Sequence, residues 1–325
     1  MLQEISIEIT RKCPSHCVHC SSLSDDKSFE MMEYGKFVSI VRSAADLGVK
    51  TICLSGGEPF MHPDIISMIR ATNSLGLKPY VYTSGVISNA QNVFKSLDFD
   101  LLKPIAGLVT KLIFNIEAAE SDTYNKIMGT EGCFEKMKQS VRNANSLHIV
   151  TEAHFVPMKL NIRDIESTIE LCAELGISKL SFLRLVLHGR ALENKHLIAL
   201  SEEELLSVKT QLQRINERPD IEIRIGVPLL SDLSSHKCEA ACGKLNIRYD
   251  GRVYPCEVFK NDMAPTLVSL KPESIYDHSL HDIYYNSDYL RAVRDLSKDF
   301  TCNNYETCIG QYLINKNQEA ILCEQ

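Results

Sequence analysis

The sequence predicts an α/β fold: a partial TIM-like (β/α)6 barrel over residues 1–229, followed by a small cysteine-rich domain over residues 230–325. Three observations predict it. Strand-like and helix-like runs alternate six times through residues 4–225, the pattern of a parallel sheet with right-handed crossovers. The alternation stops near residue 230. Beyond it the chain is loop-rich and carries six of its 12 cysteines, so it reads as a unit stapled by metal rather than by a large core.

The elements follow in order. Ile5-Ser6-Ile7-Glu8-Ile9-Thr10 alternates with period two, as a half-buried strand does. Residues 30–47 place Phe37, Ile40, Val41, Ala44 and Leu47 at helical spacing and stop at Gly48, a helix-terminating residue. A second strand runs from Thr51 to Ser55, with a helix near 63–75, and a third strand runs from Lys78 to Thr83. Lys111 to Ile116 is the fourth strand, followed by helices near 121–128 and 134–147. Ile149 to Val156 is the fifth and Lys179 to Val186 the sixth, with a helix near 162–175 between them that ends at Gly176. Ser201 with Glu204 reads as a capping box opening another helix, and a short seventh strand falls at 221–225.

Composition sets the outer bounds. A chain of 325 residues holds roughly two domains at about 150 residues each. With 44% hydrophobic and 24% charged residues it is an ordinary globular chain. No apolar run approaches the roughly 20 residues of a membrane-spanning helix, and Met1–Ile5 has no signal-peptide character. The formal charge of −7 disfavours general nucleic-acid binding. A cytoplasmic, reducing setting is expected, where cysteines at regular spacing are metal ligands rather than disulfides.

The first cluster, Cys13-x3-Cys17-x2-Cys20, lies in the loop after the first strand. Three thiolates there hold three irons of a 4Fe–4S cubane and leave the fourth open to a small molecule. Zinc is the rival, with His16 or His19 nearby to complete the set. Gly56-Gly57-Glu58-Pro59 follows the second strand, Thr83-Ser84-Gly85 ends the third, and Asn115-Ile116-Glu117 ends the fourth. All sit at the C-terminal ends of strands, where barrel enzymes place their active sites.

This arrangement resembles the radical S-adenosylmethionine (radical SAM) superfamily over most of residues 4–225. The resemblance implies that the open iron binds the amino and carboxylate groups of S-adenosylmethionine, whose reductive cleavage gives a 5′-deoxyadenosyl radical. It implies cofactor contacts at Gly56, Gly57, Glu58, Pro59, Ser84, Asn115 and Glu117, the last standing where many relatives have Asp. Arg184, read on the sixth strand, suits pairing with the cofactor carboxylate, with a structural role as the rival. His19 stands where the family commonly has an aromatic residue near adenine.

The tail carries Cys238-x3-Cys242-x13-Cys256, then Cys302-x5-Cys308, then Cys323. Asp250-Gly251 reads as a hairpin turn, with Cys256 just beyond a short second strand. These residues resemble the SPASM or twitch auxiliary-cluster domain of radical SAM enzymes. Two positions of the full SPASM pattern fall on Asp299 and Tyr312 instead of cysteine. The resemblance then implies two auxiliary clusters, one on Cys238, Cys242 and Cys256 with an open iron, the other on Cys302, Cys308 and Cys323 with Asp299 as an oxygen ligand. A single twitch-type cluster on Cys238 or Cys242, Cys256, Cys302 and Cys308, and a zinc-only tail, are the alternatives.

Cys53 and Cys172 read as buried core residues. Cys133, read in a loop after Gly132, and Cys238 are the candidate hydrogen-atom donors. His154 reads as a core histidine facing the barrel interior, and Leu185–Arg190 as a stretch lining the substrate route.

The expected function is radical-based modification of a peptide or protein: crosslinking, thioether formation, epimerisation or oxidation. The resemblance implies an electron donor such as flavodoxin or ferredoxin. The chain starts almost at its first strand, so a separate peptide-recognition protein is a further expected partner. Oxidation or rearrangement of a small molecule is the alternative among enzymes, and a non-catalytic metal-binding module the alternative outside them.

Overall fold

The computed structural model describes residues 1–89, 91–215, 220–226, 229, 238–260, 270–299 and 309–310, the side chain of Asp299 apart. The barrel portion runs β1 (Glu4–Thr10), α1 (Tyr34–Asp46), β2 (Thr51–Gly56), α2 (Ile65–Ser74), β3 (Lys78–Thr83), β4 (Val86–Ser88), β5 (Phe94–Ser96), α3 (Phe99–Leu102) and β6 (Lys111–Asn115). It continues with α4 (Ser121–Met128), α5 (Cys133–Ser146), β7 (Thr151–Phe155), α6 (Ile165–Glu174), β8 (Lys179–Phe182), α7 (Arg190–Glu193), α8 (Lys195–Ile198), α9 (Glu202–Ile215) and β9 (Glu222–Ile225). The tail contributes β10 (Lys244–Ile247), β11 (Val253–Tyr254), α10 (Leu280–Asn286) and α11 (Asp288–Asp299).

One sheet carries the fold, in the order β11-β10-β1-β2-β3-β6-β7-β8-β9. All its neighbours pair in parallel except β10 with β11. The α/β architecture is therefore the one the alternation predicts. Its outer face is aliphatic: Ile5, Ile7 and Ile9 are fully buried. Each such side chain contributes about 1.5–3 kcal/mol when taken out of water. Helix α1 answers with Phe37, Ile40, Val41 and Ala44, all buried, and ends before Gly48 at φ 79°.

β1 differs from the expected half-buried strand. Its polar face is buried too: Ser6 and Glu8 are each 3% exposed and Thr10 is 0% exposed. The reason is its central position between β10 and β2. The sequence pattern missed β10 as a partner. Glu4–Ile7 pair in register with Lys244–Ile247, so the backbone ladder continues from the barrel into the expected second unit. We propose a division at 229/230, with β10 built onto the barrel sheet.

The hairpin β4–β5 was also unforeseen, because each strand has only three residues. The capping box is present: Ser201 N–H donates to Glu204 at 2.7 Å, and Glu204 N–H donates to Ser201 Oγ at 3.2 Å. Among the described residues no helix is long and apolar enough to cross a membrane.

Candidate active site

The loop carrying Cys13, Cys17 and Cys20 crosses the C-terminal mouth of the barrel, directly after β1. Cys13 is buried and the other two are half-buried; every described cysteine carries a free thiol. The loop is held along its whole length by backbone. Gly57 N–H donates to Thr10 O at 2.6 Å, and Glu58 N–H to Lys12 O at 2.9 Å. His16 N–H donates to Met128 O at 3.0 Å, and Val18 N–H to Ile127 O at 2.9 Å.

These contacts explain the glycines. A Cβ on Gly56 would collide with Thr10 O, and one on Gly57 with Lys12 O. Gly129, at φ 62°, stands in the same way against His16 O, and Gly189, at φ 52°, against Cys20 O and Ser21 O. The resemblance implies cofactor contacts at Gly56 and Gly57, and the space their missing side chains leave is filled by backbone at the end of β1 and the start of the cysteine loop. Gly129 and Gly189 were not singled out, since from sequence each is only a helix-end or turn glycine.

Glu58 and Ser84 are bonded to each other. The Glu58 carboxylate is fully buried and accepts four hydrogen bonds: Thr83 Oγ1 at 2.7 Å, Ser84 Oγ at 2.6 Å, Ser84 N–H at 2.8 Å and Phe60 N–H at 3.2 Å. Burial raises its pKa above the ordinary carboxylate value, against the pull of those bonds. The two residues are spent on each other, tying the end of β2 to the end of β3. Pro59 opens a short 3-10 turn as its first residue, a position that needs no N–H donor.

Glu117 and His19 face one another. His19 Nε2 lies 3.4 Å from Glu117 Oε1, with the side chains 11% and 0% exposed. Glu117 Oε2 accepts from Val156 N–H at 2.8 Å. Among the described residues, Glu117 Oε1 and His19 Nδ1 are buried without a hydrogen-bond partner. Buried polar groups are nearly always paired, so orphans at a barrel mouth mark a place for a polar ligand. Asn161, also missed from sequence, fixes this corner by donating to Glu117 O at 2.9 Å and Val156 O at 3.0 Å. Asn115 ends β6 half-buried, and its carbonyl accepts from Tyr124 Oη at 3.2 Å.

Arg184 is not on a strand. β8 stops at Phe182, and Arg184 lies half-buried two residues beyond. The stretch after it, expected to line the substrate route, ends in Arg190, which clamps the cysteine loop. Arg190 is 6% exposed. Its Nε donates to Cys17 O at 2.8 Å, its Nη2 to Ser24 O at 2.8 Å, and its N–H to Cys20 O at 3.0 Å. Asn194 Nδ2 donates to Val18 O at 3.0 Å.

In the tail, Cys238, Cys242 and Cys256 are half-buried. Ala241 N–H donates to Pro255 O at 2.8 Å, bringing the residues beside Cys242 and Cys256 together. Ala241 sits at φ 60°, a strained position for a residue with a Cβ. The helices after the hairpin hold it there: Arg294 Nε donates to Ala241 O at 2.9 Å and Tyr284 Oη to Cys242 O at 2.9 Å. Gly310 packs on Val258, two residues past Cys256. Asp299 closes α11. Its side chain, and Cys302, Cys308 and Cys323, lie outside the described residues.

Cys133 is not in a loop. It is the first residue of α5, fully buried, with its thiol pushed up to about 11 by that burial. Cys53 and Cys172 are buried as expected of core residues. His154 packs at a tilt against Tyr82, with ring centroids 5.3 Å apart, and is pushed down to about 3 by burial and the Arg224 and Lys111 charges, so its imidazole is neutral.

The donor set fits the expected cofactors. Among the described residues no three His, Cys, Asp or Glu side chains gather tightly enough to chelate one ion; a cubane instead takes one thiolate per iron. Burial, with the neighbouring Cys17 and Glu58 charges, raises the Cys13 thiol well above its usual value. Burial and Cys20 do the same for Cys17. Bound iron would reverse that balance, with Cys13, Cys17 and Cys20 holding it as thiolates.

Comparison with known proteins agrees with this geometry. The family model of the radical SAM superfamily matches residues 7–190, and that of the SPASM iron–sulfur cluster-binding domain matches residues 238–309. The PqqA peptide cyclase of Rhizobium meliloti (strain 1021) is 28% identical over 294 residues, covering 88% of this chain and 74% of its own. That of Ruegeria pomeroyi is 26% identical over 298 residues, covering 88% and 75%. In fold, the chain is similar to Streptococcus suis SuiB bound to precursor peptide SuiA, with a TM-score of 0.75, 17% identity, and coverage of 95% of this chain and 71% of that one. With more than half its length matched, this chain belongs to the radical SAM superfamily and is an enzyme of 4Fe–4S clusters and S-adenosylmethionine.

Proposed function

We propose that this enzyme modifies a peptide, with Cys13, Cys17 and Cys20 holding the radical-generating cluster and Cys238, Cys242 and Cys256 holding auxiliary iron–sulfur chemistry. One observation carries the reading. A single short segment ties both cysteine loops at one barrel mouth: Arg190 binds the carbonyls of Cys17 and Cys20, and His188 Nε2 donates to Val258 O at 2.6 Å, two residues past Cys256. When bound, the cluster and S-adenosylmethionine supply a 5′-deoxyadenosyl radical that removes one hydrogen atom from the substrate.

The chain's own residues do the rest. Arg190 and the four glycines fix the cysteine loop. The unpartnered Glu117 Oε1 and His19 Nδ1 offer polar contacts to the bound nucleoside. Gly56, Gly57, Glu58, Pro59 and Ser84 shape the cofactor site through backbone position, and Arg184 and Asn115 lie at its rim. The tail supplies an electron acceptor beside the substrate, with Asp299, Cys302, Cys308 and Cys323 as its further ligands. Cys238 is a metal ligand in this reading, and Cys133, buried at the start of α5, is a core residue. A peptide substrate is supported by the named activity of the relatives and by the peptide bound to SuiB. A cytoplasmic setting, a flavodoxin or ferredoxin donor and a separate peptide-recognition protein complete the proposal.

Anaerobic turnover with candidate precursor peptides tests it, following 5′-deoxyadenosine and peptide mass. Loss of two hydrogens, or gain of one deuterium from heavy water, supports peptide modification. Coupled turnover only with a small molecule overturns it.

A further inference from the structure

The buried ionic group between the two cysteine loops is unused by the function above. Glu8 on β1 and Lys260, four residues past Cys256, are 3% and 6% exposed. Lys260 Nζ donates to Glu8 Oε1 at 2.7 Å and to Ser22 Oγ at 2.6 Å. Ser22 Oγ also donates to Glu8 Oε1 at 3.0 Å. Ser22 lies two residues past Cys20. The triad therefore joins the strand leading into the first cysteine loop, the exit of that loop, and the segment leaving Cys256.

A buried pair of this kind is a costly way to gain stability, because both ions lose their hydration. Apolar residues of similar volume would hold the same elements together. What the pair does supply is local neutrality at a fixed place. Arg248, which donates to Lys260 O at 3.1 Å, is the other charge facing Glu8.

We infer that Lys260 is a positioning residue through which the auxiliary segment sets the reduction potential of the cluster on Cys13, Cys17 and Cys20, by neutralising Glu8 beside the cysteine loop. This rests on the reading that those three cysteines hold the cluster. Removing the ammonium leaves a buried anion near the cluster, and an anion disfavours adding an electron. Removing Glu8 leaves a buried cation and favours it.

The test is an EPR-monitored redox titration of the full, reconstituted chain, following the signal that changes when S-adenosylmethionine is added. The variants are Lys260→Met, Glu8→Gln and Lys260→Met/Glu8→Gln. The expected result is a shift to lower potential for the first, to higher potential for the second, and a return toward wild type for the double variant. Lys260→Arg keeps the wild-type potential. If Lys260→Met fails to fold, the Glu8→Gln shift decides alone. An unchanged potential, or a double variant displaced further than either single one, overturns the inference. Failure of the underlying reading looks different: Cys13→Ala/Cys17→Ala/Cys20→Ala would then retain both the wild-type iron content and the cofactor-sensitive signal.

Discussion

The Gly129 Cα and the His16 carbonyl are in such close apposition that no side chain fits between them. Gly129 ends α4 in the left-handed region at φ 62°, and its neighbour Met128 accepts the His16 N–H. Helix α4 thereby fixes the middle of the Cys13–Cys20 loop.

Gly129→Ala tests that contact. Both the backbone conformation and the collision oppose it, at a combined cost of about 1–3 kcal/mol or more. Reconstituted Gly129→Ala is expected to lose iron from the first cluster while keeping tail iron. Denaturant unfolding and iron content check this; wild-type values for both would contradict it.

Arg190→Met removes the side-chain donors to Cys17 O and Ser24 O. Cys17 O keeps the Cys20 N–H at 3.2 Å, whereas the buried Ser24 O loses its side-chain donor, at a cost of about 1–3 kcal/mol. The expected outcome is lower stability and a faster loss of the first cluster to a chelator. Arg190→Lys recovers only part of this, since an ammonium cannot reach both carbonyls with the same fork.

Glu58→Gln separates a structural carboxylate from a cofactor contact. The amide sets an N–H donor against other donors at Ser84 or Thr83, at a cost of about 1–3 kcal/mol. S-adenosylmethionine affinity of the folded fraction is expected to stay near wild type. Full stability with lost affinity would contradict the assignment. Because burial raises the folded pKa of Glu58 above 4.5, the native state binds more protons than the unfolded state in that window. Its contribution to stability therefore falls as pH rises through the window, and the glutamine variant lacks this slope.

His188 gives the opposite slope. Burial outweighs its bond to Val258 O and lowers its pKa from 6.5, so the unfolded state binds the proton first. Stability is lost as pH falls below 6.5 and levels off below the folded pKa. Nε2 must carry the hydrogen, because a carbonyl only accepts. His188→Gln keeps a donor and loses the titration, so its unfolding midpoint is expected to change less between pH 7 and pH 5.

Much of this site was legible in the sequence. The cysteine spacing and the strand ends follow from period and spacing, and the family resemblance adds the glycine pair after β2 and the roles of the strand-end positions. The clamp was not. Gly129, Gly189 and Arg190 lie over 100 residues from the loop they hold, and each has a local role that explains it sufficiently. Glu58 and Ser84 sit where a cofactor contact is expected, and only the folded geometry shows them satisfying each other. β10 has four residues, too few for its period to indicate that β1 would be its neighbour.

The central claim is that Cys13, Cys17 and Cys20 hold the cluster that cleaves S-adenosylmethionine. The most direct measurement is 5′-deoxyadenosine formed by reduced, reconstituted wild type and by Cys13→Ala/Cys17→Ala/Cys20→Ala. Wild type is expected to form it, and the triple variant to form none while retaining tail iron. Equal formation by both proteins would contradict the account.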